Sequence, residues 1–335
     1  MVDSISSAYE SQFTGLDSSS CPLATFLVIA YNQEDFIRDA IVGAFSQSYE
    51  AVEVILSDDC SSDRTFEIMN EMAKEYSGRF RVVVRRNERN LGILGHLLAA
   101  AKVAKGEFLV VAAGDDISFP GRTERQVLAL AKAGKGVAVI SSADVIFDES
   151  GDLACAEWKP ATLRNWLSKQ RAWFHGATAC YRTSYLAGLP FPEKRILRED
   201  MAIMAIFEWA GFRSEYIPEP LIRRRLHNRN VGMERSKKDP WENELRILGR
   251  LNHIAETWEY SADVLDGAGI DAGVIRSRVS ILRRYASWPE MGLLDRLSLM
   301  VDSVLAGYLR KSSFLVLFGK RYLLEIRSII DRFRD

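Results

Sequence analysis

The chain has 335 residues, 47% of them hydrophobic and 27% charged, which are proportions of a folded globular protein and not of a disordered or fibrous one. That length exceeds what one compact core usually holds, so one large domain with a smaller appendage is expected. A formal net charge of −1 argues against a chain built to bind nucleic acid, which carries a basic excess, so any anion site has to be local.

Residues 1–20, MVDSISSAYESQFTGLDSSS, carry acidic groups and no apolar run, and read as a flexible lead-in without a secretory signal. Cys21, Cys60, Cys155 and Cys180 are scattered and form no CxxC, which points away from a zinc site or a disulfide framework and toward a reducing cytoplasm. No stretch approaches the roughly 18–20 apolar residues that span a bilayer, so a soluble or peripheral protein is expected.

From Ala24 onward, short β-branched runs alternate with amphipathic stretches, the pattern of βαβ units and a mainly parallel sheet. The predicted strands are ATFLVIAY (24–31), AVEVILS (51–57), RFRVVVR (79–85), EFLVVAA (107–113) and VAVISSADVIF (137–147). Between them, Ile37, Ile41, Ala44 and Phe45 fall near helical spacing, as do Phe66, Met69 and Ala73, and then Leu94, Leu97, Leu98 and Ala101. Ser61-Ser62-Asp63 supplies a start signal for the second of these helices. Past Phe147 the alternation weakens and the composition turns aromatic, through Trp158, Trp166, Trp173, Phe174 and His175. LREDMAIMAIFEWAG (197–211) reads as a helix opened by an acidic pair and closed by Gly211, and RRRLHNRNVG (223–232) gathers basic and amide side chains. The expected division is a flexible lead-in at 1–20, an α/β domain at 21–236 with halves at about 21–120 and 121–236, and a helical region at 237–335.

In an open α/β sheet, ligands bind outside the carboxyl ends of the parallel strands. Those ends read Tyr31-Asn32, Asp58-Asp59, Arg85-Arg86-Asn87 and Gly114-Asp115-Asp116. An acidic pair at one strand end serves equally well as a turn or a helix cap. Two pairs after the same apolar pattern gather carboxylates in one region, a donor set suited to Mg²⁺ or Mn²⁺ shared with substrate phosphates.

LVIAYNQEDFIRDAIVGAFSQSYEAVEVILSDDCSSDRT and KGEFLVVAAGDDIS together resemble the family-two inverting glycosyltransferases of GT-A fold, closely over residues 24–120 and loosely over 170–232. The resemblance implies a Rossmann-like mixed, mainly parallel sheet flanked by helices, with a C-terminal helical extension. It implies a nucleoside-diphosphate sugar donor, with Tyr31 against the base or ribose, Asn32 and Glu34 shaping that loop and Asp59 accepting a hydrogen bond from the base. Asp115 would contact the ribose or the metal shell, Asp116 would be the principal ligand of a divalent cation, and His227 would be a further ligand or a diphosphate contact, with Arg224 or Arg225 neutralising phosphate. In Leu197-Arg198-Glu199-Asp200, Asp200 would be the base that deprotonates the acceptor hydroxyl and Glu199 its neighbour. The acceptor cleft would fall at AWFHGATACYR (172–182), with Trp173 and His175 as contacts.

Two departures stand out: Ile29-Ala30 where the family often has Pro-Thr, and Leu97-Leu98 where it often has an Arg-Asn pair that holds the nucleotide. No Gln-x-x-Arg-Trp motif of the processive synthases is present, which argues for transfer of a single sugar. The expected activity is therefore metal-dependent, inverting transfer to a glycan or lipid-linked saccharide in cell-surface polysaccharide synthesis, in the cytoplasm and at the inner face of the membrane. The competing reading is a catalytically silent nucleotide-sugar-binding scaffold. The basic, amphipathic tail from Leu293 suits either peripheral membrane contact or packing as a helical subdomain or homodimer.

Overall fold

The computed structural model of the protein describes residues 21–156, 175–227 and 240–287, with 291, 295 and 298. The expected lead-in at 1–20, the aromatic stretch from Trp158 to Phe174 and most of the tail past 287 lie outside them. Two compact units are present: residues 21–156, 175–195 and 211–227 form the first, and residues 196–210 group with those from 240 onward in the second.

The first unit opens with β1 (Ala24–Ala30), α1 (Ile37–Phe45), β2 (Val52–Asp58), α2 (Thr65–Glu75), β3 (Arg81–Arg86), α3 (Gly92–Ala101) and β4 (Phe108–Ala113). Strands β3, β2, β1 and β4 lie side by side in that order, all parallel. β1, β2 and β4 are buried along nearly their whole length, so they read as continuous apolar runs, the mark of parallel strands covered on both faces. Phe26, Val28, Val54, Leu56 and Val110 fill the core together with Ile37 and Ile41 of α1, each such burial contributing about 1.5–3 kcal/mol. β3 closes the edge with exposed Arg81 and Arg86 at its ends. Glu53, the polar intruder in β2, is satisfied by Thr25 Oγ1 at 2.7 Å and Arg81 Nη1 at 2.9 Å.

α2 starts where the sequence predicts, and Asp63 does the work: its Oδ1 accepts from the Thr65 N–H at 3.0 Å. Gly43 lets α1 press against the backbone at Ser118, because a Cβ there would meet the Ser118 nitrogen at 2.9 Å.

The same sheet continues through β5 (Ile117–Ser118), β6 (Val137–Asp148), β7 (Gly151–Ala156), β8 (Ala179–Arg182) and β9 (Arg213–Arg225), with α4 (Arg122–Lys132) and α5 (Thr183–Ala187) between. Its order is β3-β2-β1-β4-β8-β6-β9-β5, with β7 beside β6. β8 runs antiparallel to both β4 and β6, β9 runs parallel to β6, and β5 pairs antiparallel with β9 through Ile117↔Arg223. The architecture is the expected α/β sheet flanked by helices, made mixed by these later strands.

The second unit holds α6 (Glu199–Trp209), α7 (Pro240–Gly267) and α8 (Gly273–Ala286). α6 is buried continuously from Met201 to Phe207 and meets α7, where Ser261 Oγ donates to the Ala202 carbonyl at 3.3 Å. α7 turns at Gly269, whose φ of 76° suits glycine, and α8 folds back on it, with Arg276 paired to Asp263 and Asp266. Among the described residues no helix is long and apolar enough to cross a membrane.

Candidate active site

In-register parallel pairing brings Ala30, Asp58, Arg86 and Ala113 to one edge, so the loops after β1 to β4 share it. Tyr31, the first residue past β1, is 47% exposed, a flat aromatic surface at a strand end. Asn32 follows with φ 53°, a left-handed conformation that asparagine tolerates better than most residues. Its N–H donates to Ser61 Oγ at 2.9 Å and its Oδ1 accepts from the Ser62 N–H at 2.8 Å. Glu34 Oε2 accepts from the Arg64 N–H at 3.0 Å. Asn32 and Glu34 therefore join the β1 loop to the β2 loop.

Asp58 and Asp59 separate in role. Asp58 is wholly buried, its Oδ2 accepting from the Ser61 N–H at 2.9 Å and lying 3.2 Å from Arg86 Nε. Asp59 reaches the other way: Oδ1 accepts from Asn87 Nδ2 at 2.7 Å and the Leu91 N–H at 2.9 Å, and Oδ2 accepts from the Gly92 N–H at 3.0 Å. The carboxylate thus caps α3 and anchors the 87–92 loop. Leu97 and Leu98 are core residues, buried to within 1%, so α3 offers the edge no basic pair.

A polar network runs beneath this loop that the sequence pattern does not announce. His96 on α3 is buried, with Nε2 2.6 Å from Ser57 Oγ on β2, and Arg85 Nη1 donates to the same oxygen at 2.5 Å. Arg85 Nη2 donates to Asn87 Oδ1. Ser57 Oγ has one proton and two lone pairs, so it accepts from Arg85 and still has both a donor and an acceptor position for Nε2. Burial, reinforced by the Arg85 charge, pushes the His96 pKa down to about 4. The only sequence cue was a lone histidine among leucines.

Gly114 admits the acidic turn close to β1, since a Cβ there would sit 2.7 Å from Ala30 Cβ and 2.6 Å from Gln33 Oε1. The two aspartates after it point differently. Asp116 turns inward, 5% exposed, and its Oδ1 accepts from the Arg225 N–H at 2.9 Å. Burial and the neighbouring Asp115 charge hold its carboxyl well above the usual carboxylate range. Asp115 Oδ2 lies 3.0 Å from His227 Nε2, just past the end of β9. Of the pair expected at the metal, with Asp116 as the principal ligand, Asp116 is built into the β5–β9 seam and Asp115 is the member joined to His227.

β9 holds His227 firmly. Arg225 donates to the Asp115 carbonyl at 3.1 Å and to Asp39 at 2.6 Å, and its guanidinium lies over the Phe36 and Phe147 rings. The Phe36 ring stacks on His227, centroids 4.4 Å apart. Arg224 pairs with the fully buried Asp144. Both arginines that the sequence offers as phosphate neutralisers thus carry internal ion pairs. Behind the turn, Arg122 is completely buried and donates to the Val111 and Ala177 carbonyls at 2.6 and 2.8 Å and to Ser118 Oγ at 2.9 Å. Among the described residues no group of three or more His, Cys, Asp or Glu side chains gathers to hold a metal ion. Mg²⁺ and Mn²⁺ are commonly held by one or two protein ligands plus substrate phosphates, so the Asp115 and His227 pair fits that donor set.

Of the expected acceptor contacts, Trp173 lies outside the described residues. His175 is half-buried, and its carbonyl accepts from the Thr178 N–H and hydroxyl, both at 2.9 Å, to open a short 3₁₀ turn. Glu199 and Asp200 open α6 in the second unit, where the Met201 N–H donates to Asp200 Oδ1 at 2.8 Å. Burial and the adjacent Asp200 raise the Glu199 pKa to about 8.

Comparison with known proteins agrees with this fold. A mannosyltransferase of Pyrobaculum calidifontis, solved with GDP-Man and Mn²⁺, aligns with a TM-score of 0.51 at 18% identity, over 95% of this chain and 89% of that one. S. aureus TarS 1–349, solved with UDP-GlcNAc, aligns with a TM-score of 0.51 at 19% identity, over 84% and 79%. The sheet is therefore that of the GT-A glycosyltransferases. The model of Glycosyl transferase family 2 matches residues 25–186. EpsE of Bacillus subtilis (strain 168), a protein named as a glycosyltransferase, is 30% identical over 210 residues, 61% of this chain and 73% of its own length. The chain belongs to glycosyltransferase family 2.

Proposed function

We propose that the chain transfers one sugar, with inversion, from a nucleoside-diphosphate donor to a saccharide or lipid-linked acceptor, in the presence of Mg²⁺ or Mn²⁺. The observation that carries this reading is the approach of Asp115 and His227 at the strand-end edge that also bears Tyr31 and Asp59. Such an edge is where α/β sheets receive their ligands. A bound divalent cation supplies Lewis-acid stabilisation of the departing diphosphate, and Asp115 and His227 are the groups to hold it.

The rest of the work falls to the chain itself. Tyr31 offers its face to the base or ribose, and Asp59 offers a carboxylate oxygen to a ring N–H. Asp200 removes the acceptor hydroxyl's proton as the oxygen attacks the anomeric carbon opposite the leaving group, and Glu199, protonated near neutral pH, adds no competing charge. The bound ligands of the mannosyltransferase and of TarS, a GDP-sugar with Mn²⁺ and a UDP-sugar, support a donor and cation of this class.

The test is a thermal-shift and donor-turnover panel of nucleotide sugars on the full chain, with and without Mn²⁺. A stabilising, Mn²⁺-dependent shift with at least one donor is expected, since a ligand of the native state raises its stability by mass action. Absence of both shift and turnover across the panel refutes the reading.

A further inference from the structure

An imidazole turns about a torsion with broad minima, so the direction of the His227 ring is set by what it touches. The Phe36 ring, at the entry to α1, stacks on it with centroids 4.4 Å apart and planes inclined by 21°. Arg225 Cζ lies 5.2 Å from the centre of that same Phe36 ring and 4.6 Å from the centre of the Phe147 ring. Arg225 is the hub of this group. Its Nη2 donates at 2.6 Å to Asp39, in the first turn of α1 and 186 positions away in the chain, and its Nε donates to the Asp115 carbonyl at 3.1 Å. Its backbone N–H holds Asp116 Oδ1. One residue therefore fixes the acidic turn directly and, through Phe36, the histidine that meets it.

We infer that Phe36 and Arg225 are positioning residues that hold Asp115 and His227 as a preformed pair for a divalent cation, which rests on those two side chains being its protein ligands. An ion with few protein ligands depends on the groups that orient them, and loss of such a group costs roughly 10–100-fold in metal affinity. The contacts require planar groups. Leucine at position 36 would keep the apolar bulk but offer no flat face to the imidazole or the guanidinium. At position 225 the arginine fork aims Nε and Nη2 at two acceptors while its plane lies against the rings. A lysine ammonium is a point charge that can meet Asp39 or the Asp115 carbonyl without stacking. Asp39 is more than half exposed, so its ion pair adds little stability and serves to aim the guanidinium.

The test is calorimetry of UDP and of GDP on the full chain, in Mn²⁺ and in EDTA, which reads the factor by which Mn²⁺ tightens nucleotide binding. Phe36→Leu and Arg225→Lys are expected to lower that factor by at least about tenfold, as His227→Ala does, and to leave affinity in EDTA within about two-fold of the parent. Phe36→Tyr keeps the ring and is expected to keep the factor within about two-fold of the parent. A purely structural role for the stack would instead weaken binding equally in both conditions. Either of the two disruptive variants decides the point should the other fail to fold. A factor that survives in Phe36→Leu or Arg225→Lys but not in His227→Ala, an equal loss with and without Mn²⁺, or a Phe36→Tyr variant as impaired as Phe36→Leu each overturns the positioning role and leaves the cation reading intact. A parent whose binding of both nucleotides is indifferent to Mn²⁺, or a His227→Ala variant that keeps the whole factor, overturns the cation reading and the positioning role with it.

Discussion

Asp115 Oδ2 and His227 Nε2 lie 3.0 Å apart although 112 residues separate them in the chain. The antiparallel β5–β9 pairing creates that approach, with Ile117 opposite Arg223 and Asp116 stitched to the Arg225 N–H. The seam fixes β9, and the two residues past its end inherit the position.

If these two side chains hold the cation, Asp115→Asn and His227→Ala lose the Mn²⁺-dependent part of nucleotide binding. Calorimetry with and without Mn²⁺ is expected to give at least tenfold weaker affinity in the metal and little change without it. Asp116→Asn makes the contrast, because an amide oxygen can still accept from the Arg225 N–H. Its Mn²⁺-dependent affinity is expected to stay within a few-fold of the parent, and a loss equal to that of Asp115→Asn would return the ligand role to Asp116.

Arg122 is a cation with no exposed surface, bonded to two carbonyls and a hydroxyl. Burial pushes its pKa down to about 9, so its charge is costly and its hydrogen bonds must offset that cost. Arg122→Met keeps the bulk but leaves the Val111 and Ala177 carbonyls without this donor. A destabilisation of about 3 kcal/mol is expected from two buried unsatisfied acceptors, read from the denaturant midpoint.

The parallel half of the sheet was legible in the sequence because apolar runs and helical spacing alternate there without interruption. β1, β2, β3, β4 and β6 fall within a residue or two of the predicted runs. The later strands were hidden for separate reasons. β8 is four residues long, and β9 contains Pro218 and Pro220, which demote a strand in any sequence reading. Missing β9 also hid what Arg224 and Arg225 do, since their partners Asp144 and Asp39 are distant in sequence. Which of the two adjacent aspartates turns inward could not be read for the same reason, since only the β5–β9 pairing decides it.

His96 gives stability a pH dependence of known sign. Its folded pKa of about 4 lies below its ordinary value of 6.5, so the unfolded chain takes up the proton first. The contribution is fully present above pH 6.5, is lost progressively as pH falls from 6.5 toward 4, and is level below that. His96→Gln removes the titrating group, and its amide can still accept from Ser57. The difference in unfolding free energy between parent and variant is expected to fall over that window and to be flat from pH 7 to 8; a pH-independent difference from 7 to 4 would contradict it.

Asp200→Asn separates chemistry from binding. An amide keeps the side chain's shape and its acceptor for the Met201 N–H, but it cannot take a proton from the acceptor hydroxyl. General-base catalysis contributes roughly 10²–10⁴-fold, so kcat is expected to fall by about that factor while donor affinity stays within two-fold. Glu199→Gln is the control, because a carboxyl with a pKa near 8 is already mostly protonated at pH 7 and its amide mimics that state. Its kcat at pH 7 is expected to remain within several-fold of the parent. Should Glu199→Gln prove the inactive variant and Asp200→Asn the active one, the base is Glu199, and the proton it holds at neutral pH would require the rate to rise as pH passes 8.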